Sequence, residues 1–546
     1  MIFEIVVGGI LLGTFIYHRW IEDHPGLAID SVRVPRVDEG APVPLVYGRC
    51  RVRAPIIAWA GGQRRLPVGR DDTEIPHTGD APAYFLDMLY VVGIPFYNGV
   101  GELLNIYAGD TFVTVSPASS YTGLQFPLDT PGNDGGVLTL PIFGGASVGR
   151  HSYWAINPLG LEFRLPDQFI ADLWEPACYF GFVEFLDGNP DQVISDGVDD
   201  VYSARPDGSL TDIQGVLEVK PMNGIYNYWK DDISGFVAPD PLDPDILASH
   251  IPAYRGFMMA CLYRWCNGAS TSQPTYGFEV RVQSAMFSPI LGDDADPAAV
   301  IYDLLTSPWS KLGLSVDRVD VDSFQAASTT LRAEANGYSR VFDEVATATD
   351  MIGEVLRHID GILYEEPTTG KLVLKLVRND YTVGGLVNLN PDNARPAGAG
   401  WYQVQGWAET INQVRLKFRD RANAYSEAIV VAQNAANVVG QDGRLRSIDL
   451  DFPGCCDRAL AQILASRELA VVSRPMVRAS VGNVNRSFAT TRPGDVLSFT
   501  WPELGVNAMV MRVARVDLGT KSSGAITLDL IRDVFDVTLG AYPPPI

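Results

Sequence analysis

Apolar positions along this chain fall mostly in short alternating runs, a pattern that predicts strands more often than helices. Between residues 28 and 62, brief β-rich runs such as Val43–Gly48 and Arg51–Arg53 are cut by Pro and Gly. Residues 84–93, YFLDMLYVVG, are β-branched and aromatic and fit a buried strand. Leu103–Tyr107 and Thr111–Val113 flank Ala108-Gly109-Asp110, which reads as a hairpin turn. Residues 114–250 are looser and rich in Pro, Gly, Asp and aromatics. They read as an elaborated insertion with short strands of its own, such as Tyr179–Phe185 and Val216–Val219.

The period changes near residue 297. Asp296-Pro297 is a helix start, with Asp as N-cap and Pro at the first helical position, and 298–305 continue as helix. Further helices are expected over 324–335 and 346–360, the latter with Ile352, Val355, Leu356 and Ile359 at helical spacing. Residues 361–366 and 371–377 pair as a hairpin across Pro367–Gly370. Strands return at 412–418 and 427–432, a helix covers 457–472, and four strands close the chain around 477–482, 496–501, 508–517 and 526–533. The expected fold class is mainly β with minor α, an α+β multidomain chain with several small β-barrel or β-sandwich-like domains. The expected divisions are 1–25, 26–113, 114–250, 251–290, 291–390 and 391–546.

The first residues stand apart. Met1–Tyr17 is apolar except for Glu4 and Thr14. At ~1.5 Å per residue it spans about 26 Å as a helix, marginal for a bilayer core of about 30 Å. No Lys or Arg opens it and no small-x-small site follows, which argues against a secretory signal. Two placements remain: a buried terminal helix or strand in an assembly, or a segment touching a membrane. Gly9 and Gly13 form a GxxxG that lets helices approach closely. Phe3, Gly9, Gly13, Phe15 and Trp20 are the candidate residues for axial packing or membrane contact.

The chain has 546 residues, room for three or four domains at ~150 residues each. Gly 52 and Pro 37 supply many turns without a collagen period. The net charge of −23 repels phosphate backbones, so tight general nucleic-acid binding is disfavoured. DNA sliding past such a wall without adhering is compatible with it. Six cysteines, spread from Cys50 to Cys456, do not make a disulfide scaffold and are expected as free thiols.

The search for catalytic chemistry is nearly empty. The six histidines are not paired at metal-ligand spacing, and neither Cys261/Cys266 nor the adjacent Cys455-Cys456 makes a zinc site alone. No metal or cofactor is expected. Gly145-Ala-Ser147-Val-Gly149 fits G-x-S-x-G, but strand or loop comes after it where a nucleophile elbow needs a helix. Asp187-Gly-Asn189-Pro-Asp191 begins like a calcium loop, lacks Gly at the sixth place and has Val198 where the bidentate Glu belongs. Irregular Ca²⁺ binding with Asp196, Asp199 and Asp200 stays open beside a solvated acidic loop. The chain carries no P-loop and no Rossmann fingerprint.

Several blocks, in order, resemble the central tail-hub and tip-attachment proteins of long-tailed bacteriophages. The first is Pro42–Val52, with Tyr47-Gly48 and Arg51-Val52. The second is Tyr84–Pro95 running into Leu103–Tyr107. The third is Ile251–Gly256 followed by Phe278-Glu279-Val280. The fourth is Asp296–Thr306, then Gly313-Leu314, Asp322-Ser323-Phe324 and Ala326-Ala327. The fifth is Arg492-Pro493-Gly494-Asp495-Val496-Leu497, then Met511-Arg512-Val513. Together they span roughly residues 40–535.

The resemblance implies a homotrimeric ring closing the distal end of a tail tube. Each chain supplies two tube-like β domains, here around 28–110 and within 390–535. It also implies a virion protein assembled in the host cytoplasm and forming part of the DNA-ejection conduit. The implied partners are tail-tube or distal tail proteins, other baseplate or tip and receptor-binding proteins, the tape-measure protein, and DNA in transit only. The chain ends at Pro543-Pro-Pro-Ile546, soon after the last expected strand, so it looks like a hub core without a long receptor-binding extension. On this reading residues 1–20 gather on the three-fold axis and touch the host membrane on opening. Two rival classes stay open: a membrane-anchored extracytoplasmic glycosidase-type enzyme, and a carbohydrate-binding adhesin module.

Overall fold

In the computed structural model the described residues are 42–67, 82–97, 99–109, 111–117, 125–130, 133–139, 150–156, 179–189, 254–266, 273–284, 286–287, 293–308, 312–520 and 524–535. The chain divides into two compact units, one of Met1–Ala285 with Val341–Val345, the other of Met286–Arg340 with Ala346–Ile546. Among the described residues the architecture is mainly β with few helices, as the alternation predicts.

The first unit is built on β1 (Leu45–Val52), β2 (Ile56–Pro67), β3 (Pro82–Gly93), β4 (Val100–Ala108), β5 (Thr111–Pro117), β6 (Gln125–Thr130), β7 (Asn133–Thr139), β8 (Arg150–Ile156), β9 (Phe180–Asp187), β10 (Met258–Cys266) and β11 (Tyr276–Gln283). β6 and β7 form a separate hairpin. The others, with the short β12 (Arg340–Phe342), form a ten-stranded sheet in the order β12-β1-β11-β4-β5-β8-β9-β10-β3-β2. The two runs expected at 43–48 and 51–53 are one strand, because Gly48–Val52 pairs without interruption with β11.

This sheet rolls up. In a flat sheet β1 and β3 would lie seven spacings of ~4.8 Å apart, about 34 Å. Instead Val46 N–H donates to Ile94 O at 3.0 Å and Ile94 N–H to Pro44 O at 2.8 Å. Rings from distant strands meet inside. Tyr90 of β3 lies 5.3 Å from Phe278 of β11, and Trp265 Nε1–H donates to the Tyr276 hydroxyl at 2.8 Å. The strands crowd closely enough that a Cβ on Gly101 would collide with the Met258 sulfur.

On the other face of β11, Glu279 is buried but fully engaged. Arg49 Nε donates to it at 2.8 Å and Asn105 Nδ2 at 2.7 Å. The Arg51 guanidinium lies 3.9 Å over the Tyr107 ring beside it. A buried carboxylate without such donors would cost several kcal/mol.

The second unit opens with helices. α1 (Pro297–Thr306) starts where Asp296 and Pro297 predict, with the Asp296 carboxylate accepting from Ala298 N at 2.9 Å. α2 (Val321–Ala333) begins three residues before the expected start. α3 (Ala348–Ile359) is capped by Thr347, whose hydroxyl accepts from Asp350 N at 3.1 Å. The expected hairpin comes next as β13 (Gly361–Glu365) and β14 (Leu372–Leu376).

Two further layers complete this unit. β18 (Gln413–Asp420) lies between β19 (Ser426–Gln433) and β20 (Ser447–Asp451), and the helix α5 (Arg458–Val472) covers one face. Their shared core includes Val414, Leu416, Phe418, Val430, Leu460 and Leu464. The short α4 (Ala435–Gly440) and β20 are additions to the elements expected from the sequence.

The second layer joins β15 (Asn388–Leu389), β16 (Arg395–Pro396), β17 (Tyr402–Val404), β21 (Val477–Val484), β22 (Val496–Trp501), β23 (Val506–Asp517) and β24 (Ile526–Arg532). The order is β15-β22-β23-β24-β21-β16, with β17 also on β21. β15 and β16 sit at opposite edges, about 24 Å apart if the sheet were flat. Yet the link between them is a tight turn, closed by Ala394 N–H on Asn390 O at 3.0 Å. The sheet must therefore curl until its edges nearly meet. Phe499, Trp501, Met511, Val513, Leu528 and Leu530 fill it, with Trp401 packed 4.7 Å from Trp501.

Candidate functional site: a latched β-barrel

The Arg492–Asp495 loop, part of the fifth family-like block, is the lock between this curled sheet and the β13–β14 hairpin. Asp495 Oδ2 accepts from Arg492 N at 2.7 Å, and Gly494 N–H donates to Val513 O at 2.7 Å. Gly494 holds φ +84°, and a Cβ there would press within 3.2 Å of Ile362 and Lys375. Both reasons favour glycine. The Arg492 fork then grips Glu366 at the hairpin turn, Nε to Oε2 and Nη2 to Oε1, both at 2.6 Å. Lys375 Nζ meets Asp495 Oδ1 at 2.6 Å. The Arg492 hydrogen bonds hold the Glu366 carboxyl down at about 2.

A second lock is buried. Arg512 on β23 donates from Nε to Asp533 Oδ1 at 2.9 Å, from Nη1 to Gly494 O at 2.9 Å and from Nη2 to Arg378 O at 2.9 Å. The Tyr381 hydroxyl donates to the other Asp533 oxygen. Arg378 itself forks onto Glu334 at 2.6 and 2.8 Å and donates to Ile359 O at 3.1 Å. A continuous chain of charged hydrogen bonds thus runs from the barrel to the C-terminal ends of α2 and α3. Such a network resists deformation because each member loses several partners at once.

The histidine and both cysteines of this unit are buried. His358 is buried, its Nε2 donating to Gly337 O at 3.0 Å, and burial with nearby Arg467 lowers its pKa to about 3. It is neutral and carries no mobile proton near neutral pH. Burial raises Cys455 well above the usual thiol range and Cys456 to about 12, so neither is a thiolate nucleophile. Cys50, Cys261, Cys455 and Cys456 are buried thiols outside any disulfide.

Phe3, Gly9, Gly13, Phe15 and Trp20 lie outside the described residues, as do Val216–Val219, Gly145–Gly149 and residues 190–200. Strand β8 comes directly after the G-x-S-x-G, where a nucleophile elbow needs a helix. Asp187, the first residue of the calcium-like loop, is engaged by Asn189 N at 2.8 Å and by His151 Nε2 at 3.2 Å. No group of three metal-ligating side chains is found among the described residues. No helix among them is long and apolar enough to cross a membrane. Sequence reasoning singles out Arg492–Asp495 and Arg512 only as parts of a pattern. It misses their partners Glu366, Arg378, Tyr381 and Asp533, whose only signal is charge or a hydroxyl in otherwise apolar or turn segments.

Residues 347–516 match the family described as "Putative phage tail protein". This span runs from α3 through most of the latched barrel. Over that span the chain is similar to phage tail proteins.

Among solved structures, a chain of the virion of the native gene transfer agent (GTA) particle is similar over 98% of this chain and 97% of its own. The identity is 15% and the TM-score 0.52, a likeness of fold. The 43 kDa tail protein of prophage MuSo2 from Shewanella oneidensis matches at 13% identity over 49% of this chain and 76% of its own, TM-score 0.28. The tail protein from Neisseria meningitidis MC58 matches at 10% identity over 80% and 97%, TM-score 0.28. These two likenesses are too loose to carry an argument. No curated protein matches the sequence.

Proposed function

We propose that this chain is the hub at the distal end of a phage tail, a non-enzymatic homotrimer that closes the tail tube and lines part of the DNA-ejection path. The observation that carries this reading is that each unit holds a curled, mainly antiparallel sheet, one bonded across its roll by Val46 and Ile94, the other with its edge strands β15 and β16 joined by the Asn390–Ala394 turn. Three copies of a chain with two such sheets offer six, the number a hexameric tube end can meet. The locks around Arg492 and Arg512 suit a part that transmits load without changing shape. The net charge of −23 suits a wall that DNA passes without sticking. Its neighbours in this reading are tail-tube, tip, receptor-binding and tape-measure proteins, and residues 1–20 lie on the axis.

The test is electron microscopy of assembled tails together with light scattering of the purified chain. Three copies at the distal end, and a solution mass that is a multiple of three chains, are expected. Density for this chain elsewhere in the tail, or a copy number not divisible by three, overturns the proposal. Deleting residues 2–17 should change the axial density; unchanged density and infectivity remove the axial role.

A further inference from the structure

Two exposed features of this chain are complementary in charge and in polarity. The first is the turn after β12. Asp343, Glu344 and Val345 are all exposed there, Val345 to 91%. An apolar side chain that open, behind two carboxylates, is a small acidic knob. The second is an apolar island in the second unit. Trp407, 62% exposed, Val439 near the end of α4, and Leu445 stand out on three turns. Side-chain amides knit these turns together. Gln441 Nε2 donates to Trp407 O at 3.1 Å, and Asn412 Nδ2 donates to Gln441 Oε1 at 3.0 Å and to Arg444 O at 2.7 Å. The island is therefore built in advance and loses little freedom on binding. Arg444 and Arg446 flank Leu445 and are exposed. Asp442 and Glu409 lie on the same turns, so the basic character is confined to the strip Arg444-Leu445-Arg446. Among the described residues no ion pair engages Asp343, Glu344, Arg444 or Arg446.

We propose that the knob of one copy seats on the island of the next, Val345 against Trp407 and Leu445, with Asp343 and Glu344 meeting Arg444 and Arg446. The contact rests on the three-fold ring of the hub reading and names residues that join its copies. Charge selects a second copy in this head-to-tail sense. Residues 401–546 hold 16 of the 42 Lys and Arg but only 14 of the 65 Asp and Glu, so the excess of acid lies entirely in residues 1–400. Knob against knob would set four carboxylates together, and island against island four guanidinium groups, so both two-fold contacts are disfavoured. A contact between two different patches, repeated from copy to copy, closes as a ring, as the hub reading requires. The Trp and Arg anchors give so small a contact its strength, and the paired charges set its register.

The experiment compares the solution mass of the full chain with those of D343K/E344K, R444E/R446E and the chain carrying all four changes, each checked for folding by circular dichroism. The wild type should have three times the mass of either charge reversal. The four changes together should restore the threefold mass, because each contact again pairs opposite charges. A threefold mass kept by both reversals overturns the contact and leaves the ring standing. A wild type that never reaches a multiple of three overturns the ring, and the contact is then read from disulfide formation between co-expressed V345C and L445C chains under mild oxidation. A covalent pair of chains formed only by the co-expressed variants supports the contact. A pair formed by either variant alone, or by neither arrangement, overturns it, as does a link within one chain of V345C/L445C.

Discussion

Arg512 offers the sharpest test of the latch. Its guanidinium and the Asp533 carboxylate are 4% and 1% exposed, so neither charge can turn to water. Replacing Arg512 by Met keeps most of the volume and removes all three of its hydrogen bonds. Asp533 is left as a buried anion facing only the Tyr381 hydroxyl, and Gly494 O loses a donor. Breaking a buried pair from one side costs about 3–5 kcal/mol. For a unit of about 250 residues that is roughly 6–20 °C in Tm. The double change R512M/D533L removes both charges and should recover at least half of the loss, because the penalty lies in the stranded charge. Denaturant unfolding of the full chain, with unchanged m-value, reads the three proteins. A loss below about 1 kcal/mol for R512M, or a double variant no better than the single, refutes the claim that this pair locks the barrel.

Two pH effects arise from opposite cases of linkage. Glu366 is held at about 2 by Arg492, below its ordinary 4.5, so its contribution is complete above about 4.5 and is lost as pH falls toward 2. E366Q should lower stability at neutral pH and flatten the acid limb in that window; an unchanged limb in pH-dependent melts counts against the Arg492 clasp. His358 stays neutral in the folded chain down to about 3, while the unfolded chain takes up its proton near 6.5. Stability therefore falls as pH drops from about 6.5 toward 3, and H358F should remove that component. A full slope in H358F would show that the acid loss comes from other groups.

Much of the local structure is legible in the sequence because its causes are local. Asp296-Pro297 and Thr347 with Asp350 set helix starts within a few residues through capping bonds. The 361–377 hairpin is read from two apolar runs around a turn. β20 also has its signal, the alternation Ser-Ile-Asp-Leu-Asp, but a five-residue strand is too short to stand out without the sheet that receives it. The apolar stripe of α2 begins at Phe324, because Val321 and Asp322 do not continue it; the helix itself starts earlier through backbone bonding to Asp320.

By itself the sequence determined which segments extend, which coil, and which face of each turns inward, since those depend on residues a few positions apart. The tertiary structure alone decided which strand lies beside which. β11 enters between β1 and β4, and Arg49 finds Glu279 across 230 residues. It also decided that both sheets curl, and that Arg512 meets Asp533 inside one of them. The physical reason is that a strand's backbone edge bonds equally well to any partner of the right length. Alternation fixes a strand's faces but is silent about its neighbour, which only the packing of the whole unit selects.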